Sequence, residues 1–113
     1  MLAVTRSRLA LKVLGDPSAL KKAIDVSDKT KCVAWFTASW CGPCKSITPH
    51  IQKLSESSQN VDFLKIDVDQ NGELAEEYEV ASVPTFILFK DKAVAGRIMG
   101  ANAQKIDELV KSD

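Results

Sequence analysis

The chain is short of cysteine, of histidine and of net charge, and each shortage excludes something. Its 113 residues hold three cysteines, too few and too odd in number for the disulfide framework of a small secreted domain. Fifteen basic and fifteen acidic side chains cancel, and no basic block interleaves with aromatics. Nucleic acid and anionic membrane are therefore not expected as partners, and recognition is expected to be short-range. No apolar run approaches the ~20 residues that a membrane-spanning helix needs. A reducing compartment, the cytoplasm, is the expected location.

Hydrophobic residues make up 45% of the chain, enough to fill the single core of one compact domain. The segment from Met1 to Gly15 carries Arg6, Arg8 and Lys12 without an acid, a composition shared by organellar transit segments, so a mitochondrial or other organellar address stands as the alternative. The competing reading places the first strand at Leu9 to Leu14. It leaves residues 1–8 as an N-terminal arm and 9–113 as the domain.

Along the domain, Asp16-Pro17 supplies a helix N-cap and a first-turn proline, followed by Leu20, Ala23, Ile24 and Ser27 at helical spacing. Cys32 to Thr37 is a continuous apolar run of β-formers, as in a strand buried on both faces. A helix is predicted from about Cys41 to Ser57, burying Ile47, Ile51 and Leu54 and bent by Pro49. Val61 to Val68 reads as a strand, and Asn71-Gly72 opens a short helix through Tyr78. Ser82-Val83-Pro84-Thr85 leads into the strand Phe86 to Phe89. Asp91-Lys92 fits a two-residue hairpin turn into Ala93 to Met99, without the glycine such turns favour. Asn102 caps a last helix with Ala103, Ile106, Leu109 and Val110 on one face. The order βαβαβαββα predicts an α/β fold with a mixed sheet between helices, its reactive groups at the carboxyl edge of the strands.

Trp40-Cys41-Gly42-Pro43-Cys44 carries the chemistry. A helix beginning between the thiols puts Cys41 at its open N-terminus, where unpaired N–H groups and the positive dipole end favour a thiolate. Cys44, one turn further in, can attack the sulfur of Cys41 once that sulfur is held in a mixed disulfide. The pair can thus cycle between dithiol and disulfide. A zinc site is disfavoured, since only Cys32 and His50 remain as further ligands and His50 stands about 9 Å of helical rise beyond Cys44. A c-type haem site needs histidine where Lys45 stands. His50 is read as a packed or surface residue, Cys32 as a small buried hydrophobe, and Asp67 and Asp69 as a strand end.

With this pair after a central strand, the chain resembles the thioredoxin family. Phe36, the run Trp40 to Lys45, Pro49, the strand Lys65-Ile66-Asp67-Val68-Asp69, the loop Val83-Pro84-Thr85 and Gly100-Ala101 carry the resemblance along nearly the whole chain. It implies a thioredoxin fold, a central mixed sheet of about five strands flanked by about four helices. It also implies a monomeric protein-disulfide reductase that uses no bound cofactor beyond its own Cys41–Cys44 disulfide and is recharged by a flavin- or ferredoxin-dependent thioredoxin reductase-type donor. By the same resemblance Cys41 attacks a client disulfide, Cys44 resolves the mixed disulfide, and Pro84 is cis, turning the Val83 backbone toward an extended client. Trp40, Gly42, Pro43, Val83, Pro84, Gly100 and Ala101 then form an apolar rim about Cys41. Pro43 between the cysteines resembles the reducing members.

One position departs from the pattern. The family keeps a buried aspartate six residues before the first cysteine, a proton handler for Cys44, and here Trp35 stands there. Lys65, that acid's usual neighbour, is left to Asp67 or to solvent. The second reading of function follows from this departure: a thioredoxin-like module that holds a client or partner, with redox chemistry secondary.

Overall fold

The computed structural model describes residues 11–14, 18–27, 31–58 and 60–111; the arm at residues 1–8 and the cap at Asp16-Pro17 lie outside them. Among the described residues four helices cover a five-stranded sheet. The elements are β1 (Leu11–Leu14), α1 (Ala19–Val26), β2 (Lys31–Thr37), α2 (Gly42–Ser57), β3 (Val61–Asp67), α3 (Gly72–Glu77), β4 (Thr85–Lys90), β5 (Ala93–Met99) and α4 (Ala103–Lys111). Their order matches the sequence reading, with ends moved by a residue or two. Helix α2 starts one residue later than predicted, because Cys41 is its N-cap with extended backbone. Strand β3 stops at Asp67, although the Val68 N–H still donates to the Thr37 carbonyl at 2.9 Å.

The strands lie in the order β1-β3-β2-β4-β5. β2 pairs parallel with β3 and antiparallel with β4, so the strand that feeds the cysteines is central. Its side chains alternate between two cores, as a strand buried on both faces must. Cys32, Ala34 and Phe36 pack with Leu20, Ile24 and Leu74 on the α1/α3 side. Val33 and Trp35 pack with Ile47, Ile51 and Ile106 on the α2/α4 side. Cys32 is buried at 4% exposure, consistent with its reading as a core residue.

Local sequence explains the ends of these elements. In α4 the Asn102 side chain accepts the Lys105 N–H at 3.0 Å, the predicted N-cap. At the other end the Lys31 ammonium donates to the Val110 carbonyl at 3.0 Å, satisfying one of the helix's open acceptors. Asp91 and Lys92 both take positive φ, 53° and 69°, the backbone that a two-residue hairpin demands, which Asp91 tolerates and Lys92 disfavours. The β4–β5 register slips at Leu88/Phe89, where Leu88 faces Gly96 and Phe89 faces Val94. Ala95 is the extra residue of that bulge. Tyr78, edge-on to Phe89, has its phenol pKa raised by burial and secondarily by the charge of Glu77.

Candidate active site

Thr37 ends the central strand, Ala38 to Trp40 turn the chain, and α2 begins at Gly42. The Cys41 N–H donates to the Ala38 carbonyl at 3.2 Å, closing that turn. Because Cys41 is the N-cap, its side chain occupies the place where a serine or aspartate oxygen would accept a first-turn amide. Its sulfur does the same: the Cys44 N–H points at Cys41 Sγ from 3.1 Å. A helix N-terminus thus aims an unpaired donor and the positive end of its dipole at this sulfur. Both favour the thiolate over the thiol.

Cys41 and Cys44 form a disulfide, with their Cα atoms 5.2 Å apart. Both are buried, and they pack with Ala38 and against Val68 and Val83. Further along α2, the Thr48 hydroxyl donates to the Cys44 carbonyl at 2.8 Å. Pro49 lies inside the helix and has no N–H to give the Lys45 carbonyl.

The Val83–Pro84 peptide bond is cis, as the resemblance implied, and Cys41 Sγ lies 3.7 Å from the Val83 carbonyl oxygen. Two hydrogen bonds pin this loop. The Thr85 hydroxyl donates to the Ser82 carbonyl at 2.7 Å, and the Gly100 N–H donates to the Pro84 carbonyl at 2.9 Å. Gly100 has φ +97°, a conformation strained for any residue with a side chain. The glycine therefore lets the end of β5 turn against the proline loop.

Of the predicted rim, Trp40, Gly42, Pro43 and Ala101 are exposed, Val83 and Gly100 half-buried and Pro84 buried. Trp40 is 67% exposed yet held: its indole N–H donates to Asp69 Oδ2 at 2.9 Å, and the Asp69 N–H in turn donates to Asp67 Oδ1 at 2.8 Å. Asp69 was read from sequence as a mere strand end. Its role depends on a contact across 29 positions, for which the sequence carries no local signal.

Trp35 is 1% exposed, stacked on Phe86 with ring centroids 6.2 Å apart. Its indole Nε1 is buried without a hydrogen-bond partner. Lys65 corrects the sequence reading: it turns neither to Asp67 nor simply to solvent, but places its ammonium 5.3 Å from the centre of the Trp35 ring, a cation–π contact. His50 is half-buried and joined to Asp107 at 2.7 Å, tying α2 to α4. Among the described residues no three His, Cys, Asp or Glu side chains converge as a metal site would require. No helix among them is long and apolar enough to cross a membrane.

The thioredoxin family model matches residues 16–112. Human thioredoxin is 39% identical over 100 residues, 88% of this chain and 95% of its own. Mitochondrial thioredoxin-3 of Saccharomyces cerevisiae is 42% identical over 86 residues, 76% of this chain and 68% of its own. The crystal structure of Fasciola hepatica thioredoxin superposes with a TM-score of 0.84 at 39% identity, covering 88% of this chain and 95% of that one. With a redox-active cysteine pair at a helix N-terminus beside a cis-proline loop, and with these relatives, the chain belongs to the thioredoxin family and is a thiol–disulfide oxidoreductase.

Proposed function

We propose that Cys41 is the attacking and Cys44 the resolving sulfur of a protein-disulfide reductase. The Cys41 thiolate attacks one sulfur of a client disulfide, forms a mixed disulfide and expels the other client sulfur as thiolate. Cys44, as thiolate, then attacks Cys41 Sγ, which releases the client's second thiolate and closes the Cys41–Cys44 bond. Two electrons from a thioredoxin reductase-type donor reopen it, with no further cofactor. The observation that carries this division of labour is the 3.1 Å approach of the Cys44 N–H to Cys41 Sγ, which stabilises charge on that sulfur.

Client proteins dock as extended segments against the Val83 backbone, on the apolar rim of Trp40, Gly42, Pro43, Val83, Pro84, Gly100 and Ala101. Trp35 and Lys65 support the layer below. The site is complete within one chain, which supports action as a monomer, and the balanced charge supports neither nucleic acid nor membrane as a partner. For location we take the cytoplasm. A mitochondrial relative and the basic segment Met1 to Gly15 support the organelle as the alternative, and subcellular fractionation of the full chain separates the two. We take residues 1–8 as an N-terminal arm and 9–113 as the domain. The client-holding module is not favoured, because the cysteine pair is joined as a redox pair should be.

The test is insulin reduction together with client trapping. Cys44→Ser accumulates mixed disulfides with client proteins, and Cys41→Ser abolishes turnover. A Cys41→Ser protein that still turns over, or a Cys44→Ser protein with no reactive thiol, overturns the assignment.

A further inference from the structure

The sequence contains two methionines, and Met99 is the one among the described residues. It is 61% exposed, so its thioether is open to solvent and to a small oxidant. Met99 ends β5 and pairs in register with Thr85, the residue after the cis proline. The next residue, Gly100, donates its N–H to the Pro84 carbonyl. Neighbouring Ile98 packs into the core with Trp35 and Phe86, so Met99 projects to the opposite face, the one it shares with Arg97. The Arg97 guanidinium there holds the Tyr78 and Glu79 carbonyls, at the start of the segment that runs to Val83. The backbone at Met99 is thereby held next to the loop whose Val83 carbonyl stands 3.7 Å from Cys41 Sγ.

We propose that Met99 is a peroxide-sensitive modification site whose conversion to the sulfoxide weakens the docking of protein clients. The inference rests on the docking surface described under Proposed function and extends it by one residue and one regulatory step. A sulfur lone pair of Met99 attacks an oxygen of hydrogen peroxide, the S–O bond forms and the O–O bond breaks. The leaving hydroxide takes the proton of the transferred hydroxyl, so water departs. Sulfur loses two electrons and peroxide gains them. A flexible apolar contact becomes a polar, chiral one, and an apolar client segment is then met by a sulfoxide oxygen it cannot satisfy.

The experiment treats the oxidised full chain, its Cys41–Cys44 disulfide intact and so shielded from peroxide, with hydrogen peroxide. Peptide mass mapping locates the added oxygen. KM and kcat are then measured for insulin and, separately, for a small aromatic disulfide that does not span the rim. The expected result is a sulfoxide at residue 99 and a KM for insulin raised about fivefold, the size of a modest interface contact. The expected kcat is unchanged, and so is the rate with the small disulfide. Each variant is compared with its own untreated state. Met99→Leu, which keeps Met1 and Cys32, shows no peroxide-induced rise, Met99→Gln shows the raised KM without treatment, and methionine sulfoxide reductase restores the wild-type value. A chain carrying the sulfoxide at 99 with its insulin KM unmoved overturns the inference, as does an equal rise in Met99→Leu or a Met99 that peroxide leaves untouched. If Trp40→Ala also leaves the insulin KM unmoved, the docking surface itself is wrong, an outcome separate from failure at Met99 alone.

Discussion

Trp40 and Trp35 lie in one short stretch of chain and use the same side chain in opposite ways. Trp40 faces solvent at 67% exposure and has its N–H satisfied by Asp69. Trp35 is 1% exposed, stacked on Phe86 and covered by the Lys65 ammonium, with its N–H unsatisfied. The ordinary expectation is the reverse, since water would serve an exposed donor and a buried one needs a partner. At Trp40 the hydrogen bond serves position: it ties the exposed indole, next in sequence to Cys41, to Asp69, as the proposed docking rim requires. In the layer below, packing outweighs hydrogen bonding. A buried indole gains dispersion and a ring stack worth ~0.5–1.5 kcal/mol, against ~1–3 kcal/mol for the orphaned donor, with the large apolar burial of the ring tipping the balance.

The contrast teaches where this chain keeps to the family's chemistry and where it leaves it. Of the residues proposed for the rim, Val83 packs against the cysteine pair and the Gly100 N–H holds the Pro84 carbonyl. The buried acid below is replaced, and Trp35 packs in the same cluster as Ile47, one helical turn beyond Cys44 on α2. On the proposed mechanism, water or the departing client thiolate is left to take the proton of Cys44. Neither Trp35 nor an ammonium held against its ring accepts a proton.

The largest effect is expected from Trp35→Asp. Removing the indole leaves a cavity and buries a carboxylate, costing about 3–5 kcal/mol of stability, read from denaturant melts. In the same protein, release of the mixed disulfide is expected to quicken, by up to ~10²-fold. The gain appears only above the pKa of the new carboxylate, because the ionised form is the one that accepts the proton. Stopped-flow reduction across pH measures it. A folded variant whose release rate and pH profile match the wild type shows that the missing acid has no kinetic consequence, and the contrast between the two layers then concerns packing alone.

Asp69→Ala tests the other half of the comparison. It frees the Trp40 indole without touching the cysteines, so the KM for insulin is expected to rise about fivefold while kcat and fold stability hold, as for loss of a hydrogen bond of ~1 kcal/mol. If the KM stays put, Trp40 needs no anchor. The smallest effect belongs to Lys65→Met, which keeps the aliphatic stem and removes the charge over the ring. A loss of about 0.5–1 kcal/mol is expected in chemical denaturation, with mixed-disulfide release unaltered. A change in release rate would instead give Lys65 a part in the proton's path.

Much of the site was legible before the structure. The thiols three positions apart, the proline between them and the strand preceding them are local features, and local spacing suffices to put one sulfur at a helix N-terminus. Helix α4 was equally legible, because an asparagine cap and an apolar stripe at 3.6-residue spacing both act within a few residues. The hairpin at Asp91-Lys92 was legible from its length and its aspartate, though not from a glycine: the pairing of β4 with β5 sets positive φ at both residues, which Asp91 tolerates and Lys92 resists.

What the tertiary structure alone decided are the contacts between distant segments. The placement of Lys65 over Trp35 follows from their parallel register on β3 and β2, the union of His50 with Asp107 from the packing of α4 beside α2, and the position of Met99 beside Thr85 from the β4–β5 pairing. Each depends on which strands or helices become neighbours and how they are aligned, and a side chain's own neighbourhood in sequence carries no trace of that choice. By itself the sequence determined the order of elements, the redox pair and the polarity of its helix, since these arise from propensities, caps and spacings that act over one or two turns. The fold then determined what surrounds the pair, because hydrogen bonds and ring contacts across tens of residues exist only once the sheet has brought them together.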